Sequence, residues 1–203
     1  YDRYLSWVAT GLEEPLTTHA DRYRFSRGYG ASSYSKGSVF LSQLGYIIGE
    51  KNLYKTLKHY FKEWSFKHPR PYDFIRSAER VSGLELDWYL MDWAQTTKQL
   101  DYQVNSIIGE GGKTKIVLKR EKQMPMPIDV EVVLKDGTSV LYNIPLTMMR
   151  GHRPLAGFRL LESWSWAQPY YIFEVDFPKG SISEVVIDPF NFTADVNRKN
   201  NRL

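Results

Sequence analysis

The stretch Glu85–Ile108, ELDWYLMDWAQTTKQLDYQVNSII, changes its hydrophobic period within a few residues. In its first half Leu86, Tyr89/Leu90 and Trp93 recur at helical spacing, which puts them on one buried face of a helix starting near Glu85. After Lys98 the period becomes two, and Asp101–Ile108 alternates as a half-buried strand does. The switch near Thr97–Leu100 therefore predicts an α+β chain. A bundle of short helices over residues 1–98 is followed by an all-β sandwich over residues 99–203.

Upstream of the switch the helical signal continues. Val39, Phe40, Leu44 and Ile47/Ile48 fit an amphipathic helix that Gly49 stops. A second helix is predicted from about Lys51 to Trp64, with Leu53, Leu57, Tyr60/Phe61 and Trp64 on its inner face. His68-Pro69-Arg70-Pro71 interrupts it, because a residue before proline is pushed away from the α region. Pro71 then suits the first turn of a third helix that buries Phe74, Ala78 and Val81 and ends on Gly83. Tyr1–Thr10 reads as the end of a helix with Tyr4, Leu5 and Val8 on one side, closed by Gly11. Pro15–Ser33, rich in Thr, Arg, Gly and Ser, reads as a long loop, and loops of that length tend to be functional.

Downstream, Gly109-Glu110-Gly111-Gly112 and Asp136-Gly137 are hairpin turns. Ile128, Val130, Val132 and Leu134 face one way, Asp129, Glu131 and Val133 the other. Further strands are expected at Gly157–Leu161, Tyr170–Phe177 and Ser183–Asp188, which makes about seven short strands, the count of a small sandwich. The polar tail Asn197–Leu203 is expected to fray.

Composition excludes several classes. With 42% hydrophobic and 15% aromatic residues the chain has ample apolar area for a core. No apolar run approaches the roughly 20 residues that span a bilayer, so no membrane-spanning segment is expected. The net charge of +4 is spread along the chain without a Lys/Arg block, which argues against nucleic acid as a partner. Cysteine is absent, so disulfides, thiolate zinc sites and cysteine nucleophiles are excluded.

Self-sufficient catalytic motifs are missing. His19, His59, His68 and His152 form no HExxH pair, and His59 and His68 lie nine apart, with His68 opening the proline break. There is no G-x-S-x-G elbow, no G-x-G-x-x-G and no phosphate loop. The carboxylate pairs Glu13/Glu14 and Asp87/Asp92 read as solvated faces. Trp164, Trp166, Tyr170, Tyr171 and Phe173 crowd into ten residues; Tyr171 and Phe173 belong in a strand core, whereas Trp164 and Trp166 are candidates for an exposed aromatic platform.

One segment carries a more specific signal. Ser33-Tyr34-Ser35-Lys36-Gly37 delivers a tyrosine, then x-Lys-Gly, into the helix ending Ile47-Ile48-Gly49-Glu50. Tyr60-Phe61, Pro71-x-Asp73-Phe74, Glu79-x-x-Ser82-Gly83 and Trp88…Trp93 follow in order. This series resembles the region downstream of the zinc site in the M1 family of metallo-aminopeptidases, gluzincins with a thermolysin-like catalytic domain. The strands ending Ile187-Asp188-Pro189 and Asp195-x-Asn197-x-x-Asn200-Asn201 resemble the β-sandwich that follows that domain in many members.

The resemblance implies a zinc ion as cofactor of the parent enzyme, held by two histidines of HExxH and a glutamate on the next helix. All of these are expected upstream of Tyr1, so the chain is expected to be the C-terminal portion of a longer aminopeptidase, inactive and without catalytic zinc when isolated. Its partners are then a peptide substrate and the upstream catalytic segment of its own polypeptide, and exported bacterial members lean the location toward the periplasm or outside. Tyr34 is the one catalytic residue that carries over, as hydrogen-bond donor to the oxyanion of the tetrahedral intermediate. The motif further implies that Gly37 lets the start of its helix pack closely beside the zinc-bearing helices, and Lys36 is left as a helix-end or surface charge. The alternatives are a carbohydrate- or protein-binding sandwich with helical support, and an M1-like homologue without activity.

Overall fold

A computed structural model describes residues 1–203, which divide into two compact units. The first comprises Tyr1–Lys98 together with Met149–Pro154, and the second Gln99–Met148 with Leu155–Leu203. The architecture is α+β.

The helical unit contains α1 (Asp2–Val8), α2 (Ser26–Gly30), α3 (Gly37–Ile48), α4 (Glu50–Trp64), α5 (Pro71–Ser82) and α6 (Asp87–Gln95). Its core forms where the apolar periods meet: Leu44, Ile47 and Ile48 of α3, Ile75 and Ala78 of α5, and Leu86, Tyr89, Leu90 and Trp93 beside α6 are all buried. Tyr4 and Val8 of α1 join them as the sequence predicts. The Tyr89 hydroxyl donates to the Phe40 carbonyl at 2.6 Å, which satisfies a buried phenol and ties α6 to α3. Gly49, at φ 88, ends α3 and opens α4 without a linker, and Gly83 takes the left-handed position after α5. Gly45 has a packing reason as well: a Cβ there would meet Leu53 Cδ2 at 2.9 Å.

Two expectations change. Ser26–Ile48 is helical throughout, α2 passing through a widened π turn at Ala31–Lys36 into α3, so the predicted loop ends well before Ser33. Local propensity is poor in this glycine- and serine-rich segment, and tertiary contacts override it. Buried Gly28 lets α2 approach α1, since a Cβ would stand 3.4 Å from Trp7 Cζ2 and 3.3 Å from Glu14 Oε2. The predicted inner face of α4 is only partly covered: Leu53, Tyr60 and Trp64 are half-buried, Leu57 and Phe61 are exposed, and Thr56 is the helix's buried residue.

The second unit is a sandwich of seven strands, β1 (Tyr102–Glu110), β2 (Lys113–Arg120), β3 (Ile128–Leu134), β4 (Ser139–Ile144), β5 (Phe158–Leu160), β6 (Tyr170–Val175) and β7 (Ile182–Ile187). One sheet has the order β1-β2-β6 and the other β5-β4-β3-β7, antiparallel except for the parallel β4–β5 pair. Val130↔Tyr142 and Val132↔Val140 set the register of the β3–β4 hairpin, and Gly137 (φ 86) makes its turn. Ile116, Leu118, Ile128, Val130, Val132, Ile144 and Val185 fill the core. Asp129, on the face opposite Ile128 and Val130, is buried as well and accepts from the Asn143 amide at 2.8 Å.

The tail does not fray. Ile187 N donates to Asn201 O at 2.7 Å, Val185 N and Leu203 N exchange bonds at 2.9 and 3.1 Å, and the Asn200 amide reaches Asp101 at 2.8 Å. Asp195 anchors it from within, accepting from Tyr102 N at 3.0 Å and Asn197 N at 2.8 Å. Burial pushes its carboxyl up from 3.8 to about 6 against those two bonds. Between roughly pH 4 and 6 the folded protein thus keeps a proton that the unfolded chain has released, so ionising Asp195 destabilises the fold as pH rises and protonation relieves this below pH 4. In urea titrations the wild type should gain about 2 kcal/mol over Asp195→Asn between pH 7 and pH 4. A difference that stays flat over that range would refute the assignment.

Candidate active site

Tyr34 lies on the π turn between α2 and α3, with its side chain 78% exposed. A π turn adds one residue to a helical circuit and re-aims the side chains on it, which is why such turns recur at functional positions. The turn is held from both flanks. Ser32 and Lys36 are buried at 1% and 2% exposure, so positions 32 and 36 face inward while the tyrosine between them faces out. The Ser32 hydroxyl donates to Glu14 O at 3.4 Å.

Lys36 is not a surface charge. Its ammonium pairs with Glu13 Oε1 at 2.6 Å and donates to Thr96 O at 2.9 Å, with both side chains almost fully covered. The Tyr4 hydroxyl donates to the same Glu13 oxygen at 3.2 Å. Burial lowers the Lys36 amine from its ordinary range, and the Glu13 charge and hydrogen bond pull it back. Burial first, and Glu13 second, push the Tyr4 phenol far up. Glu13 is therefore no solvated carboxylate; nor is Asp92, which is buried and bonded to Lys98 at 2.5 Å. Sequence spacing gave no sign of the Glu13–Lys36 pair, whose members are far apart in the chain and reach each other only through the fold.

Tyr34 stands at the meeting of two depressions. The larger, about 670 Å³, is walled by Asp2, Arg3, Trp7, Arg27 and Ala31. The smaller, about 290 Å³, runs past Tyr1, Tyr4, Ser38 and Val39. The larger is the size of a typical ligand cleft. Two guanidiniums against one carboxylate give it a positive wall, and Arg27 lies over the Trp7 ring at 5.9 Å. Chemically, this arrangement offers an exposed phenol O–H beside a cleft that favours anionic groups.

The other candidates disperse. His19 and His59 pair locally with Asp21 and Glu63, and His152 contacts the neighbouring Arg153 carbonyl. No group of three or more His, Asp or Glu side chains comes together that could hold a metal ion, so the donor set for a zinc ion is not formed by these residues. At Gly37 a Cβ would meet only Ser32 O at 3.8 Å, an ordinary contact, so close packing within this chain does not explain that glycine. Trp164 and Trp166 form no platform. Trp164 is a core residue, stacked near Tyr102 (5.3 Å) and Tyr171 (5.2 Å) with its indole N–H donating to Gln168 O at 2.8 Å, while Trp166 is exposed alone.

Comparison with known proteins follows the division of the chain. Residues 6–93 match the family model described as the peptidase family M1 domain. Among solved structures, the chain is similar to the aminopeptidase A of Legionella pneumophila, crystallised in complex with aspartic acid, with a TM-score of 0.52 and 15% sequence identity. That match covers 79% of this chain and 17% of the aminopeptidase, so the two share a fold and this chain spans under a fifth of its relative's length. No curated protein matches.

Proposed function

We propose, from the match of residues 6–93 to the peptidase family M1 domain, that the chain is a portion of a zinc-dependent aminopeptidase to which it contributes the oxyanion donor, Tyr34. The observation that supports this best is the exposed phenol on a π turn beside the larger of the two clefts it lines. When water adds to a peptide carbonyl, charge builds on the carbonyl oxygen. A phenol already in place stabilises that charge without reorganising at the moment of reaction. Arg3 and Arg27 supply positive charge for the carboxylate that a short peptide carries at its C terminus. The groups that activate water and hold the zinc ion would come from other parts of the complete polypeptide. By itself the chain is inactive.

The test is turnover of aminoacyl-nitroanilides by the complete polypeptide that carries these residues. Activity should require a free substrate amine and disappear with a chelator. It should fall sharply in Tyr34→Phe and persist in Tyr54→Phe, a control phenol that is also exposed on α4. Equal activity in wild type and Tyr34→Phe would reduce Tyr34 to a surface residue, and a complete polypeptide that hydrolyses no such substrate would defeat the reading as a whole.

A further inference from the structure

Nothing in the side chain of Tyr34 fixes it: it is 78% exposed, and its aim depends on the π-turn backbone. That backbone is anchored two residues to either side, by Ser32 to Glu14 O and by Lys36 to Glu13 and Thr96 O. Both anchors converge on one short segment, Glu13-Glu14, which also receives the Tyr4 hydroxyl from α1. The ion pair is a poor device for stability alone. Buried pairs of this kind barely offset their desolvation, and Glu13 Oε2 is buried with no hydrogen-bond partner. An apolar pair of similar volume would fill the same space at less cost. What an apolar pair lacks is direction: the 2.6 Å Lys36–Glu13 contact and the 2.9 Å bond to Thr96 O fix the rotation of the turn about its axis.

We propose that the buried Lys36–Glu13 pair is a positioning device, clamping the π turn so that the Tyr34 hydroxyl is held toward the reacting carbonyl. The inference rests on Tyr34 being the oxyanion donor. Lys36 and Glu13 touch no substrate and act only through the tyrosine. Misplacing a catalytic group by about 1 Å can cost on the order of 100-fold in rate, so loosening the turn should appear in kcat while substrate binding is little changed.

The experiment is a double-mutant cycle in the complete polypeptide. Lys36→Met combined with Glu13→Gln removes both charges and leaves an amide oxygen for the Tyr4 hydroxyl. It should lower kcat about 10- to 100-fold with KM within about twofold of wild type. In a Tyr34→Phe background the same pair change should lower kcat by less than about twofold, because the group being aimed is already gone. A purely structural role would instead lower the folded fraction and scale both backgrounds alike. Should the double replacement not fold, Glu13→Gln alone keeps the Thr96 contact of Lys36 and should show the same background-dependent loss at smaller size. Unchanged kcat in a folded pair variant, or losses that multiply across the two backgrounds, would overturn the clamp while leaving Tyr34 in place. Full activity in Tyr34→Phe alone would instead remove the reading on which the clamp rests.

Discussion

Tyr34→Phe in the complete polypeptide should reduce kcat/KM by about 100-fold or more, or roughly 2.7 kcal/mol of transition-state stabilisation at 1.36 kcal/mol per tenfold. The loss should fall on kcat. A phenol aimed at the oxyanion gains its hydrogen bond as charge develops, so the substrate complex loses little when the hydroxyl is removed. A rise in KM at constant kcat would place the hydroxyl on the bound substrate instead. Stability should not confuse the result, because the side chain is 78% exposed, and the thermal midpoints of the two proteins should coincide. Metal content should also be unchanged, since Tyr34 belongs to no cluster able to bind a metal. Loss of turnover together with loss of metal would point to a disrupted site and count against the assigned role.

Tyr34 stands out in the sequence only through the motif around it, and the support beneath it shows no sequence signal. Pro71–Ser82 and Asp87–Gln95 announce themselves through period, proline and glycine, because each buries a single continuous face. Ser26–Lys36 does not: Gly28, Gly30, Ser32, Ser33 and Ser35 argue for a loop, yet close approach to Trp7 and buried anchors at Ser32 and Lys36 make it helical. Lys36 and Glu13 illustrate the general difficulty. Charged residues are read as solvated because nearly all are, and a pair that survives burial does so through a partner no local pattern shows. The sandwich errs in the same direction. Asp129, Asp188 and Asp195 are buried polar residues that no spacing in the sequence marks as buried. Trp164 errs the opposite way, a loop-flanking aromatic drawn into the core by an indole N–H that finds Gln168 O.

Asp188→Ala should cost the sandwich about 3–5 kcal/mol, the loss expected when one member of a buried, hydrogen-bonded charge pair is removed. Asp188 follows directly after β7, at φ 52, with its side chain 1% exposed. One oxygen accepts from Phe192 N at 2.7 Å; the other accepts from Thr193 N at 2.8 Å and the Thr193 hydroxyl at 2.7 Å, and faces Arg198 at 3.3 Å. Burial still holds its carboxyl above the usual range, so this network only partly offsets the desolvation of the charge. Alanine would leave those donors without an acceptor in a covered site and free Arg198 from the loop. The chain leading to Asn201 would then lose its fixed start, and with it the bonds to Ile187 and Val185. Urea denaturation should show the loss. Hydrogen exchange should speed up at Ile187 and Leu203 before it does so in β3. Asp188→Asn keeps one acceptor oxygen and should cost less than the alanine change. If Asp188→Ala cost under 1 kcal/mol, the network would be a surface decoration of the loop. A loss of the expected size is a large share of the roughly 5–15 kcal/mol by which domains are stable. The segment from Asp188 to Asn201, which forms no strand and is held by polar groups, would then be as necessary to the sandwich as the alternating valines of β3.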